Sequence, residues 1–254
     1  MEKKKYKVYW TGGLDSTALI IWLLEQGHTV MSSYITIRNN EAQTKRERNA
    51  IESMKVILEK NYENYIHGIK EHHTKVDIGI RENTSSPVSL QMVPIFILDM
   101  IYNGNEEWTT ALGYVSGDDA ISHIDTIQDI IKSYEPLTRY ALSDDIGGMS
   151  NNINIEFPFI KISKEEVANY LKQKGEEQGF SYINNVTFCE HHLPEKNYCE
   201  ECSSCKRMLP IAPFLFDDNV KDAESIDKQL DEVQTKLDSE DDTLLVPTDE
   251  QNKE

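Results

Sequence analysis

Two short stretches of this chain hold residue types that can do chemistry. The first is Thr11-Gly12-Gly13-Leu14-Asp15-Ser16-Thr17. Adjacent glycines let a backbone approach a ligand closely and reach positive φ. A helix starting directly after them offers unpaired N–H groups and a positive dipole end, both of which favour an anion. Ser16 and Thr17 add hydroxyl donors, so a phosphate or pyrophosphate is the natural guest. The lysine of a Walker A loop is absent, which disfavours a P-loop NTPase. A plain glycine turn with an Asp/Ser helix cap fits the same residues.

The second stretch is Cys189-x9-Cys199-x2-Cys202-x2-Cys205, which gathers all four cysteines of the chain within 17 residues. Four thiolates carried on two Cys-x-x-Cys turns suit tetrahedral Zn²⁺. They leave no open position for a catalytic water, so the site is expected to be structural. His191 or His192 could replace one sulfur, but exposed loop histidines are the simpler expectation. Unliganded buried thiols are the alternative.

Strands and helices must position these stretches. Tyr6 to Trp10 reads as a strand stopped by Gly12-Gly13, and Thr17 to Gln26 as a helix with Gly27 just past its end. Val30 to Ile37 is a second strand, Arg46 to Lys60 a helix and Lys75 to Ile78 a third strand. Pro94 to Tyr102 is apolar all round, which predicts a buried helix with Pro94 in its first turn. Thr109 to Gly113 is a fourth strand, Asp125 to Tyr134 an amphipathic helix, Ser143 to Asn154 a polar loop and Ile155 to Ile160 a fifth extended segment. Ser163 and Glu166 form a capping box for a helix expected to end at Gly175. Strands alternating with helices predict an α/β fold with a Rossmann-like, doubly wound parallel sheet, whose ligands sit at the carboxyl ends of the strands.

The chain of 254 residues carries 26 Lys plus Arg against 44 Asp plus Glu, a net charge of −18. That balance disfavours a protein gripping nucleic acid or an anionic membrane through its overall field, while a local loop can still bind phosphate. No apolar run approaches the ~18 residues of a membrane helix. The opening Met1-Glu2-Lys3-Lys4-Lys5-Tyr6 has no apolar signal region behind it, so a cytoplasmic protein with reduced thiols is expected. From Asp217 onward 14 acidic residues face 4 basic ones, within which Ile226, Leu230, Val233 and Leu237 suggest a short amphipathic helix. The expected domains are 1–185 as the α/β body, 186–216 as a small zinc-binding segment with a closing helix, and 217–254 as an acidic tail able to meet a protein partner.

The glycine stretch resembles the Ser-Gly-Gly-x-Asp-Ser loop of N-type ATP pyrophosphatases, with Thr11 keeping the hydroxyl of the first serine. Loop and cysteines together, in this order and at this distance, make Lys5 to Pro210 resemble the 7-cyano-7-deazaguanine synthase (QueC-like) family. Glu47-x-x-Ala50, Gly113 with Asp118, and Phe157 to Glu166 share in the likeness. The resemblance implies a PP-loop fold of the adenine nucleotide alpha hydrolase type, ATP with Mg²⁺, structural Zn²⁺ and homodimers. It also implies a reaction: a carboxylate on a 7-deazaguanine is adenylated, ammonia gives an amide, and a second activation gives a nitrile. Thr11, Gly12, Gly13, Leu14, Asp15, Ser16 and Thr17 would hold the pyrophosphate end of ATP, with Ser16 and Thr17 on its β- and γ-phosphates.

Within the implied catalytic set of Asp15, Ser16, Lys164 and Asp118, several roles have bland counterparts. Asp15 would hold Mg²⁺ or brace the loop; Lys164 would meet phosphate charge or be a solvated first-turn lysine. Asp118 would position acceptor or ammonia, or cap a turn. His72, His73 and Lys161 read as exposed, and His123 as a candidate in the acceptor region. The family's Tyr-Gly-Gln and Pro-Asp-Cys-Arg-Pro-Glu-Phe runs are replaced by Ile37-Arg38-Asn39-Asn40 and Ser122 to Gln128, and its Arg-Asn is missing near Val88 to Gln91. The alternatives are therefore a related enzyme activating another acceptor, such as nucleic acid or a protein terminus, and a non-catalytic nucleotide-binding partner module.

Overall fold

A computed structural model describes residues 2–35, 41–67, 88–103, 107–118, 121–122, 124–141, 154–189 and 198–216. Outside them lie Lys75 to Ile78, His72, His73, His123, His191, His192, most of the 143–154 loop and the tail helix. The chain divides into two compact units, Met1–Leu215 and Phe216–Glu254. The elements are β1 (Lys5–Tyr9), α1 (Leu14–Glu25), β2 (Thr29–Ser33), α2 (Glu41–Asn61), β3 (Tyr65–His67), α3 (Val88–Asn103) and β4 (Trp108–Ala111). Then come α4 (Ile124–Ala141), β5 (Ile155–Glu156), α5 (Lys164–Gln178), α6 (Tyr182–Asn185), α7 (Ser203–Met208) and a 3-10 turn, Pro213–Phe216.

Among the described residues five strands form one parallel sheet, in the order β3-β2-β1-β4-β5. This is the expected Rossmann-like α/β fold. The direction of winding reverses between β1 and β4, which opens the crevice where such sheets take ligands. β1 is central: Val8 is fully buried between Ser32 of β2 and Ala111 of β4. A strand covered on both faces reads as a nearly continuous apolar run.

Helices cover both faces. On one, α1 packs against α5, with Trp22 meeting Phe159 edge to face. On the other, Val93, Ile97 and Met100 of α3 form a core with Ile124 and Ile127 of α4. Lys7 interrupts the apolar pattern of β1. Its buried ammonium pairs with buried Asp99 of α3, whose Oδ2 also accepts the Tyr9 hydroxyl at 2.7 Å. Among the described residues no helix is long and apolar enough to cross a membrane.

Several boundaries differ from the sequence expectations for local reasons. α1 starts at Leu14 rather than Thr17, because Gly13 takes the extended N-cap conformation itself. α2 begins at Glu41 and α3 at Val88, so Pro94 lies inside α3 rather than in its first turn. α3 is also not wholly buried, since Leu98 is 44% exposed. A strand not expected from sequence forms at Tyr65–His67, while the expected Lys75 to Ile78 lies outside the described residues. β5 pairs only through Ile155 and Glu156 before the chain turns through Pro158. The capping box forms, with Glu166 Oε2 2.7 Å from the Ser163 N–H, but α5 runs past Gly175 to Gly179, which holds the left-handed stop at φ 67°. Gly175 serves a different need: a Cβ there would lie 2.4 Å from the Phe180 carbonyl oxygen, where the chain folds back on the helix.

The buried Lys7–Asp99 pair gives a stability test. Asp99→Ala leaves a buried ammonium without its counter-charge and is expected to cost about 3–5 kcal/mol. Lys7→Met combined with Asp99→Leu should restore most of that loss. Urea unfolding midpoints of the single and double variants check both expectations.

Candidate functional site

The loop after β1 is shaped by close approach. Gly12 sits at φ 67°, and a Cβ on it would lie 2.9 Å from the Ala50 Cβ and 3.1 Å from the Glu47 carbonyl oxygen of α2. Glycine is required here twice over, by conformation and by space. The same contact explains why Glu47 and Ala50 belong with the loop. Gly113, just past β4, does a parallel job: its Cβ would lie 3.2 Å from the backbone of Asp15. Beyond Gly12 and Gly13 the chain enters α1, so the N–H groups of Leu14, Asp15 and Ser16 have no acceptor within the helix.

Thr17 does not join them. It is fully buried, its hydroxyl accepts from Trp10 Nε1 at 2.9 Å, and its N–H is taken by the Gly13 carbonyl. The expected contact from Thr17 to phosphate is therefore corrected: the residue fastens the loop to β1 from beneath. Ser16 donates its hydroxyl to the Gly13 carbonyl at 3.3 Å and is only half-buried, and Leu14 is buried at the cavity floor.

Three strand ends meet at one ammonium. Lys164, first residue of α5, donates to Asp15 Oδ2 at 2.6 Å and to Asp118 Oδ1 at 3.3 Å. Asp15 follows β1, Asp118 follows β4 and Lys164 follows β5. The convergence is pinned by the Ser116 N–H on the Ile162 carbonyl at 2.8 Å. Asp118 also caps a turn, accepting the Val115 N–H on Oδ2 at 3.1 Å, which is one of its two expected roles. Lys164 is no freely solvated lysine.

Burial pushes the Asp15 carboxyl above its ordinary value, against the opposing pull of Lys164. Burial also works against the Lys164 ammonium, but the adjacent carboxylates outweigh it and raise its pKa. Asp15 Oδ1 is buried with no hydrogen-bond partner among the described residues. A carboxylate oxygen left over in this way, beside open backbone N–H groups, fits a hard divalent cation accompanying a polyphosphate.

These groups open into a cavity of about 550 Å³, a size typical of small-ligand sites. Its walls include Arg46 and Glu47 of α2, Ser116, Phe188 and Arg207. Glu47 accepts from the Tyr34 hydroxyl at 2.7 Å and from Gln43 at 2.8 Å, and burial holds its carboxyl above the usual range. Arg46 and Arg207 were not singled out from sequence. The one signal for Arg207 was its place two residues after Cys205.

The cysteine segment forms the far wall. The four Sγ atoms lie within 4.8 Å of one another, with Cys199–Cys205 and Cys189–Cys202 each at 4.0 Å. N–H groups of Cys202 and Glu201 point at Cys199 Sγ, and that of Cys205 at Cys202 Sγ. Glu200 takes φ 63° so that the Cys199–Cys202 turn can close. Four sulfurs gathered so closely can hold a soft metal ion. The segment is tied to the loop by the Thr187 N–H on the Gly12 carbonyl at 2.8 Å, and to α2 by Arg46 on the Cys189 carbonyl at 3.2 Å.

The family model described as queuosine biosynthesis protein QueC matches residues 6–209. The chain belongs to the QueC family. With its glycine loop it is an ATP-utilising enzyme of the PP-loop class, which implies ATP and Mg²⁺ as ligands. Among solved structures it is similar to the U34-tRNA thiolase NcsA from Methanococcus maripaludis with its 4Fe–4S cluster. That match has 16% identity, covers 85% of this chain and 67% of the other, and has a TM-score of 0.43. No curated protein matches.

Gly12→Ala probes the loop. A non-glycine residue held at left-handed φ costs about 1–3 kcal/mol before any overlap. Adding Ala50→Gly should relieve the overlap and recover part of the loss, leaving the conformational share. Thermal unfolding and nucleotide titration of the single and double variants check this.

Proposed function

We propose that the protein is a 7-cyano-7-deazaguanine synthase of the QueC type, converting 7-carboxy-7-deazaguanine, ammonia and ATP into the nitrile. The reading is carried by Lys164 clamped between Asp15 and Asp118 at the mouth of the glycine loop, in a chain that belongs to this family. The N–H groups of the first turn of α1 bind the pyrophosphate end of ATP. The Lys164 ammonium meets its oxygens, and the cavity beyond receives the acceptor. Mg²⁺ held from Asp15 supplies charge neutralisation at the leaving group.

A carboxylate oxygen of the acceptor attacks the α-phosphorus, and the α–β bridging bond breaks as pyrophosphate leaves. Ammonia attacks the acyl carbon of the adenylate, AMP departs with the former carboxylate oxygen, and a proton is lost to give the amide. The amide oxygen attacks the α-phosphorus of a second ATP and pyrophosphate leaves; AMP then departs with that oxygen as the two nitrogen-bound protons are lost, leaving the nitrile. No protein nucleophile is required; alignment and charge stabilisation do the work.

For the cysteines the proposed ion is structural Zn²⁺. Zn–S bonds of about 2.3 Å in a tetrahedron separate the sulfurs by about 3.8 Å, close to the two 4.0 Å pairs. Metal analysis should find one zinc per chain, and Cys202→Ser should lose it and unfold at lower temperature. Stable, zinc-free wild-type protein would remove the ion from the proposal.

A second reading is favoured by Ser122 to Gln128, which replace the family's Pro-Asp-Cys-Arg-Pro-Glu-Phe run: the same adenylation applied to a different acceptor. One assay separates the two. With ATP, Mg²⁺, ammonia and 7-carboxy-7-deazaguanine, the synthase releases AMP and the acid changes mass to amide and nitrile. AMP release that requires cell extract instead favours the other acceptor. ATP binding with no release in either case contradicts both. Lys164→Met should lower kcat/KM by roughly 10²–10³-fold, with the fold intact by circular dichroism.

A further inference from the structure

We infer that Arg207 is a phosphate-binding residue supplied to the nucleotide site by the cysteine segment, so that nucleotide binding and metal retention reinforce one another. The inference rests on the ATP-binding reading above. Its first support is electrostatic. Asp15, Lys164 and Asp118 form one cluster through the two ion pairs of Lys164, and together they carry a net negative charge. A polyphosphate approaching the glycine loop therefore meets backbone donors and a lysine that two carboxylates already neutralise. Beside the Mg²⁺ proposed at Asp15, a further cation facing the same cavity would offset the repulsion that remains.

The cavity lining offers three cations. Lys164 is engaged, and Arg46 donates to the Cys189 carbonyl. Arg207 is the third, and it makes no hydrogen bond or ion pair with any described residue. Its charge reaches the loop nonetheless: burial raises the Asp15 carboxyl, and Arg207 is among the smaller influences that pull the other way. A planar guanidinium with paired N–H donors suits phosphate oxygens better than an ammonium does.

The second support is how Arg207 is held. It lies in the last turn of α7, whose N-cap is Cys202 and whose Cys205 is fully buried. Met208, the next residue, is buried as well, and the Leu209 N–H closes on the Cys205 carbonyl at 2.9 Å. Two metal-ligand cysteines and a buried methionine thus bracket an exposed arginine and aim it across the cavity. Scattering the cysteines would release it. A nucleotide that engages Arg207 then binds the metal-loaded arrangement preferentially, and by reciprocity slows metal loss.

The test uses the full-length, metal-loaded protein with Arg207→Gln, Arg207→Lys and, as a control, Lys206→Gln. Metal content and unfolding midpoint first establish that the variants are intact. Calorimetry then measures ATP, pyrophosphate and AMP, each with Mg²⁺. Arg207→Gln should weaken ATP and pyrophosphate by about tenfold or more, Arg207→Lys should recover part of the loss, and AMP should be little changed. Lys206→Gln should alter none of them.

In a chelator competition, ATP should slow metal release from the wild type but not from Arg207→Gln. Unchanged pyrophosphate affinity in Arg207→Gln overturns the inference. So does an equal loss of AMP and pyrophosphate, or protection by ATP that survives the substitution. Wild-type protein that takes up no ATP overturns the underlying reading instead.

Discussion

A lysine ammonium between two carboxylates, each delivered by a different strand end, is the constraint on which the site depends. Lys164 and Asp15 are 149 positions apart in sequence and 2.6 Å apart in space. Their pairing requires β1 and β5 to emerge on the same edge of one sheet with β4 between them, as the order β3-β2-β1-β4-β5 provides. A parallel sheet puts every carboxyl end on one side, so loops distant in sequence converge there without special linkers. The cost is charge buried beside charge. Asp15 is pushed toward protonation by its surroundings and held back from it by Lys164.

The loop beneath this cluster is held in place rather than left free. Thr17 bolts it to β1 through Trp10, and Gly12 lets α2 pack directly on it. The chain from Gly12 to Thr187 and on to Cys189 then closes the opposite wall. Backbone donors aimed at an anion must be fixed before the ligand arrives if they are to act without reorganisation. The buried contacts supply that rigidity, while Ser16 stays partly exposed and the first-turn N–H groups have no acceptor within the helix. The cysteine segment therefore has two tasks, gathering a metal and forming cavity wall, and the same few residues serve both.

Local chemistry was legible in the amino-acid order to a large extent. The glycine pair, the capping box at Ser163 and Glu166, the clustering of cysteines and the alternation of strands with helices are all short-range signals, and each corresponds to an element or a site. The misplacements were also local in origin. Gly175 has the residue type of a helix stop, yet it is there to admit the Phe180 carbonyl, and Pro94 sits within a helix whose apolar surroundings outweigh its missing N–H. Thr17 belonged to the motif by type but turned out to serve the core, since helix periodicity points it away from Ser16.

Residue types and spacing thus pointed to a glycine turn suited to phosphate ahead of the first helix and to four thiols held together, and the four sulfurs do gather within 4.8 Å. How the charged residues meet at that turn, and that Arg207 joins them, was decided only by folding. Lys164, Asp118, Glu47 and Arg207 come from four separate parts of the chain, and their meeting depends on strand order and helix packing. Those are set by the burial of the whole apolar core, a sum over many contacts that no single stretch of residues carries.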